Sequence, residues 1–262
     1  ENLMELPNII QQFIGNSVLE PNKIGQSPSD VYSFNRNNET FFLKRSSTLY
    51  TETTYSVSRE AKMLSWLSEK LKVPELIMTF QDEQFEFMIT KAINAKPISA
   101  LFLTDQELLA IYKEALNLLN SVAIIDCPFI SNIDHRLKES KFFIDNQLLD
   151  DIDQDDFDAE LWGDHKTYLS LWNELTETRV EERLVFSHGD ITDSNIFIDK
   201  FNEIYFLDLG RAGLADEFVD ISFVERCLRE DASEETAKIF LKHLKNDRPD
   251  KRNYFLKLDE LN

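Results

Sequence analysis

The stretch Phe186-Ser187-His188-Gly189-Asp190-Ile191-Thr192-Asp193-Ser194-Asn195-Ile196, continued by Phe206-Leu207-Asp208-Leu209-Gly210-Arg211, decides how this chain is read. Residues 183–187, 196–199 and 204–207 read as short strands, with a turn at 200–203. Asp190 then sits in the loop after the first strand, Asn195 ends that loop, and Asp208 closes the hairpin that follows. Such a hairpin is expected to return Asp208 beside Asn195. An Asn amide oxygen and an Asp carboxylate are hard oxygen ligands of the kind Mg²⁺ takes when it bridges nucleotide phosphates. A third group, the Asp190 carboxylate, can orient an acceptor hydroxyl and take its proton. The pattern H-G-D-x4-N-x12-D-x-G fixes six positions, which makes a chance match rare.

Working outward, residues 31–34 and 40–44 predict two strands around the turn-forming Asn35-Arg36-Asn37-Asn38. Alternation puts Phe42 and Lys44 on one face, with Phe41 and Leu43 on the other. A helix is expected over 55–71, stopped by Pro74, followed by strands at 75–80 and 85–90. From Thr104 the pattern becomes helical: Thr104-Asp105-Gln106-Glu107 has capping-box spacing. Further helices are expected at 134–149, 164–175, 219–229 and 234–245. The expected fold class is α+β: a small antiparallel sheet with one helix in an N-terminal lobe, residues 1–92, and a mainly helical C-terminal lobe, residues 93–262, carrying a β-hairpin insert.

Charge narrows the function. The 262 residues carry 28 basic and 48 acidic side chains, a net charge of −20. That excludes a general nucleic-acid binder, which needs a basic surface, and favours a cationic partner. The excess is uneven: residues 1–92 are near −3 and residues 93–262 near −17. From Asp145 to Asp164 there are nine acids and no base. Such a run is most often a solvated loop or helix face and can also be a surface that collects a polycation; alone it does not decide between them. Cys127 and Cys227 form neither a CxxC motif nor a disulfide framework, which fits a reducing, cytoplasmic setting. No secretory signal is visible and no apolar stretch is long enough for a membrane span. The four histidines lack metal-ligand spacing, so no zinc site is expected.

His188-Gly189-Asp190 with Asn195, then Asp208-Leu209-Gly210, resembles the catalytic and metal-binding segments of the protein-kinase-like phosphotransferases, with HGD in place of HRD and DLG in place of DFG. LVFSHGD-x-x-DSNIF, FLDLGR-x-G-x-AD-x-x-x-DI and the terminal LDEL are more closely similar to the aminoglycoside 3′-phosphotransferases, from about Ile24 to Leu261. The resemblance implies the bilobal protein-kinase-like fold, with ATP (or GTP) and Mg²⁺ bound between the lobes. It implies Asp190 as the catalytic carboxylate, and Asn195 and Asp208 as Mg²⁺ ligands. Lys44 matches the strand lysine on the α- and β-phosphates, and Glu60 its ion-pair partner; a strand lysine with a helix glutamate sixteen residues on is also the pairing kinase chemistry needs.

Phe42 matches the aromatic that stacks on adenine, although core packing explains it equally well. Thr90 and Ala92 match the backbone groups that meet the adenine edge, and Ser27 the loop residue that holds the β-phosphate, in a loop without GxGxxG. For the acceptor, the resemblance implies phosphorylation at the 3′-hydroxyl of a kanamycin- or amikacin-type antibiotic by a bacterial resistance enzyme; with no cysteine pair suited to crosslinking, a monomer is expected. The antibiotic's ammonium groups would meet Asp155, Asp156, Asp158, Asp193, Glu230, Asp231, Glu260 and the terminal carboxylate of Asn262. Arg211 either orients carboxylates near Asp190 or forms a structural salt bridge. Asp231 also has capping-box spacing to Glu234. His188 reads as a structural hydrogen-bond donor rather than a base.

Three other readings compete. Gly189-Asp190-Ile191-Thr192-Asp193 looks like the GDxxD segment of binuclear metallophosphoesterases, but their DxH and GNH[DE] segments are missing. A nucleotide-binding module without turnover would not need every catalytic position filled. A choline-kinase-like enzyme of another small amine would favour an aromatic cage over dispersed carboxylates.

Overall fold

The computed structural model describes residues 5–22, 27–150 and 158–262. The chain divides into two compact units, Glu1–Lys96 with Phe197–Arg211, and Pro97–Ile196 with Ala212–Asn262.

The first unit begins with α1 (Asn8–Ile14) and continues through β1 (Glu20–Pro21), β2 (Asp30–Arg36), β3 (Glu39–Ser47), α2 (Val57–Leu67), β4 (Leu76–Gln81) and β5 (Phe85–Lys91). Its strands form one antiparallel sheet in the order β1-β2-β3-β5-β4. Asn37 and Asn38 take positive φ, 52° and 62°, which gives the β2–β3 hairpin the twist that tight turns favour. The alternation expected from sequence holds. Phe41 and Leu43 point into a core with Phe34, Phe87, Ile89 and the α1 residues Ile10 and Ile14. Lys44 lies on the opposite face, which α2 covers.

Helix α1 departs from the expectation of a single helix in this region. It spans only seven residues, too few to show a period, and it is held by burial of Ile10 and Ile14 rather than by propensity.

The N-terminus of α2 is pinned to the sheet by the buried Glu86 of β5. Its carboxylate accepts from Ser56 Oγ at 2.8 Å and Ser46 Oγ at 3.2 Å. Ser56 Oγ in turn accepts from Arg59 N as the helix N-cap, and Ser46 Oγ accepts from Val57 N. This anchoring sets the azimuth of α2 and so aims Glu60 at β3.

The chain enters the second unit at β6 (Lys96–Pro97). There follow α3 (Asp105–Asn120), α4 (Ile133–Asp145), α5 (Ala159–Trp162), α6 (Tyr168–Glu177), β7 (Leu184–Ser187) and β8 (Ile196–Ile198). From Phe197 to Arg211, through most of β8 and all of β9 (Ile204–Phe206), the chain belongs again to the first unit; β10 (Gly213–Asp216), α7 (Glu217–Asp231), α8 (Glu234–Lys242) and α9 (Pro249–Asp259) complete the second. The capping box at Thr104 and Glu107 forms as expected. Ser233, not Asp231, caps α8, because Asp231 is still the last residue of α7.

The β region differs from the simple hairpin insert expected. Strand β7 pairs with β10, Ser187 opposite Gly213, while β8 pairs with β9. In the chain the His188–Asn195 loop thus runs from the two-stranded sheet β10-β7 to the three-stranded sheet β6-β8-β9. Helix α9 was not expected; Pro249 opens it, and the buried Lys251 interrupts the apolar stripe formed by Tyr254, Phe255 and Leu258. Lys251 is tolerated there because its Nζ reaches the fully buried Asp216 at 2.9 Å.

Candidate active site

In the first unit, Lys44 Nζ donates to Glu60 Oε1 at 2.8 Å and lies 3.7 Å from Asp208 Oδ1. Burial works against the charge on Lys44, but Glu60 and Asp208 together hold it protonated, well above the ordinary lysine range. The other oxygen of Glu60, Oε2, accepts from Leu209 N at 2.8 Å. One carboxylate thus fixes both the strand lysine and the backbone of the Asp208-Leu209-Gly210 turn.

That turn is tightly held. Asp208 adopts φ 53°, an uncommon conformation for a residue with a side chain. Gly210 O accepts from Arg59 Nε at 2.9 Å, and a Cβ at Gly210 would lie 2.6 Å from Thr54 O, so only glycine allows this approach. The Asp208 side chain is largely exposed even though its backbone is locked. Arg211 lies over the Tyr55 ring, 5.9 Å from its centroid, with Nη2 3.4 Å from Tyr55 Oη.

Phe42 is half-buried and pairs with Thr90 across β3 and β5, which puts both on the Lys44 face. Thr90 is buried. Ala92 N donates to Thr40 O at 2.9 Å, so the sheet already occupies the donor of the two backbone groups expected to meet adenine there. Pairing runs one residue beyond the end of β5, which sequence alternation does not reveal. Ser27 is exposed, and its Oγ accepts from Ser29 N.

In the second unit, Asp190 and Asn195 come together. Asn195 is buried; its Nδ2 donates to Asp190 O at 2.9 Å and lies 3.5 Å from Asp190 Oδ2. His188 is fully buried, and its Nδ1 accepts from Asp190 N at 3.1 Å. It has the structural part expected, but through this nitrogen it accepts rather than donates. Gly189 takes φ 82°, open to glycine, and this turn presents successive amides of His188 and Gly189 to one carboxylate.

That carboxylate is Asp220 of α7, whose Oδ2 and Oδ1 accept from the two amides at 2.9 and 3.0 Å. Burial pushes the Asp220 carboxyl up, against the opposing pull of His188 and the amides. Sequence reading assigned Asp220 no role. The available signal was the AD-x-x-x-DI segment, in which an acid recurs on an otherwise buried helix face.

The acidic residues expected to meet an acceptor form two groups. Asp193, Glu230 and Asp231 gather near one another: burial first, then Asp193 and Glu230, raise the carboxyl of Asp231. Asp158 and Glu260 form the second. The Asp158 carboxylate caps α5, accepting from Glu160 N and Leu161 N, and Glu260 Oε2 accepts from Trp162 Nε1. Asn262 is half-buried, with Nδ2 donating to Leu258 O. Asp155 and Asp156 lie outside the described residues.

A hard divalent cation suits the chemistry present. With Nδ2 of Asn195 engaged as a donor, its amide offers Oδ1 as acceptor, and Asp208 offers an exposed carboxylate. Among the described residues no cluster of three or more His, Cys, Asp or Glu could hold a metal ion by itself. Asn195 in the second unit and Asp208 in the first each offer one such oxygen, and a cation held by either would take most of its shell from phosphate and water oxygens.

Residues 18–254 match the profile of the phosphotransferase enzyme family. An aminoglycoside 3′-phosphotransferase of Acinetobacter baumannii is 99% identical over 259 residues, covering 99% of this chain and 100% of that protein. The crystal structure of an aminoglycoside 3′-phosphotransferase of type VIII aligns with a TM-score of 0.79 at 23% identity, covering 97% of this chain and 96% of the other. The aminoglycoside phosphotransferase APH(3″)-Id of Streptomyces rimosus, solved with ADP and streptomycin, aligns at 0.76 and 17% identity over 96% and 95% of the two chains. These agreements cover nearly the whole chain in both sequence and fold, and the chain belongs to the phosphotransferase enzyme family, in its branch of kinase-fold aminoglycoside 3′-phosphotransferases.

Proposed function

We propose that the enzyme moves the γ-phosphate of ATP, accompanied by Mg²⁺, to the 3′-hydroxyl of kanamycin- or amikacin-type aminoglycosides. The observation that carries the acceptor half is the gathering of Asp193, Glu230 and Asp231. Burial first, then the like charges of Asp193 and Glu230, raise the Asp231 carboxyl, and among the described residues no lysine or arginine forms a direct ion pair with any of the three. A polyammonium ligand relieves that repulsion. Asp193 is three residues from Asp190 in the same loop, so an antibiotic held by this group brings a hydroxyl to the Asp190 carboxylate.

For the donor, Lys44 binds the α- and β-phosphates, and Glu60 keeps it charged and aimed. The Ser27 segment contacts the β-phosphate, Phe42 stacks on the base, and Thr90 and the Ala92 carbonyl meet its edge. Asn195 and Asp208 hold the metal, which neutralises phosphate charge when bound. Asp190 orients the hydroxyl for in-line attack and accepts its proton, while Asp220 and His188 keep the loop rigid. Asp155, Asp156, Asp158, Glu260 and the Asn262 carboxylate add contacts to the ammonium groups, and Arg211 steadies the carboxylates. Catalysis then consists mainly of positioning and charge stabilisation. The S. rimosus relative, which holds ADP and streptomycin, supports the pairing of these ligand classes.

The test is ADP release from Mg-ATP with kanamycin, beside tobramycin, which lacks the 3′-hydroxyl. Turnover with kanamycin only is expected, and chelation of Mg²⁺ abolishes it. Comparable turnover with both moves the reaction to another hydroxyl. Firm ATP binding without turnover on either points to a different small-amine acceptor.

A further inference from the structure

We infer that Trp162 is a positioning residue of the acceptor site, whose indole N–H aims the Glu260 carboxylate without cancelling its charge; this rests on Glu260 being an aminoglycoside contact. Trp162 closes the four-residue helix α5 and is buried. Its Nε1 donates to Glu260 Oε2 at 3.1 Å, joining α5 to the residue that follows α9. The indole is itself held: Tyr168 packs edge-on at 5.5 Å between centroids, and the Asp158 cap fixes the start of α5.

The choice of donor matters. Arg226 is the nearby cation, and its Nη1 is taken by Asp259 Oδ2 at 2.9 Å. Had an arginine or lysine bonded Glu260 directly, the pair would be neutral and of little use to a cationic ligand. An indole N–H orients the carboxylate equally well and leaves its full charge to the ligand. Tryptophan is the side chain that offers one donor, no acceptor and no charge at this reach.

The surroundings of Glu260 agree. Burial raises its carboxyl, the Trp162 hydrogen bond opposes that, Asp259 and Asp158 add to the rise, and Arg226 opposes it. Removing the indole donor therefore makes Glu260 easier to protonate, and the loss of affinity for a polycation starts at a higher pH.

The experiment is a double-mutant cycle of Trp162→Phe and Glu260→Gln, read as KM for kanamycin and for ATP between pH 5.5 and 8. Trp162→Phe keeps an aromatic ring but removes part of the indole along with the donor, so the cycle rather than the single variant isolates the hydrogen bond. The expected result is a rise of about tenfold in kanamycin KM, larger than any fall in kcat, with ATP KM unmoved. The pH at which kanamycin KM begins to climb shifts upward. In the Glu260→Gln background, Trp162→Phe adds little further, because the carboxylate it served is gone. If the two effects instead add, or ATP and kanamycin KM rise together, Trp162 acts through general packing and the inference fails. If Glu260→Gln alone leaves kanamycin KM unchanged, the fault lies in Glu260 as a contact, and the role of Trp162 falls with it.

Discussion

The two units treat charge in opposite ways. In the first, Lys44 serves both Glu60 and Asp208, so the acids of that region meet a cation supplied by the protein. In the second, Asp193, Glu230 and Asp231 stand beside one another with no direct ion pair among the described residues and only the field of Arg226 near Glu230, although the same unit gives several of its buried acids a direct cationic partner. There Asp216 meets Lys251, and Glu225 meets Arg229 and Arg252. An ammonium group kept charged among acids is suited to an anionic ligand. Acids left to repel one another are suited to a cationic one. Under the proposed function, the first arrangement would serve the phosphates and the second the antibiotic, a sharper division than total charge gives.

The strongest attempt to break this comparison is Asp190→Ala. The proposed roles predict a fall in kcat of about 10²- to 10⁴-fold, the range for a lost general base. ADP affinity, measured by calorimetry, stays near wild type because Asp190 belongs to the acceptor side. Retention of more than about a tenth of wild-type kcat removes Asp190 from the role of base.

Next in size is Lys44→Met. It takes the cation from the first unit and leaves Glu60 buried with only the Leu209 amide. A loss of about 3 kcal/mol in nucleotide binding, roughly a hundredfold in ATP KM, is expected. Kanamycin affinity, measured directly without nucleotide, barely changes. Equal damage to both ligands would mean that the division of labour between the units is wrong.

The smallest effect sharpens the comparison. Because the Asp231 carboxyl is raised in the folded protein, the folded state holds the proton more tightly than the unfolded chain. Stability from this site is therefore highest below the carboxyl's ordinary range and is lost as pH rises through the raised folded value. Asp231→Asn should make the protein slightly more stable to thermal unfolding at pH 7. It should also raise kanamycin KM about two- to fivefold, the range for an exposed ion pair. A variant that binds kanamycin as well as wild type would show that this repulsion serves no ligand.

Much of this was legible beforehand. The β2–β3 hairpin, the alternation that separates Lys44 from Leu43, α2 and the Thr104 capping box rest on local rules, and each appears in the structure. The pairing of Lys44 with Glu60 was legible only beside the His188-Gly189-Asp190 loop, since a strand lysine and a helix glutamate by themselves read more readily as solvated residues. Short or interrupted elements were not. Helix α1 has too few residues to show a period, and the stripe of α9 is broken by a buried lysine whose partner, Asp216, is 35 residues away.

What the residues determined by themselves was the inventory of chemistry: a spacing of acid, amide and acid around one glycine turn, one strand lysine, and an acid excess concentrated in the later part of the chain. Local conformational preference and charge suffice for that. The tertiary structure alone decided the partners. It set β7 against β10, placed the Asp220 carboxylate beneath the His188 and Gly189 amides, joined Glu60 to Leu209, occupied the Ala92 donor with Thr40, and tied Trp162 to Glu260. The reason is that a hydrogen bond between distant residues depends on where whole elements pack, and packing is settled by the sum of buried contacts rather than by any neighbouring pattern in the chain.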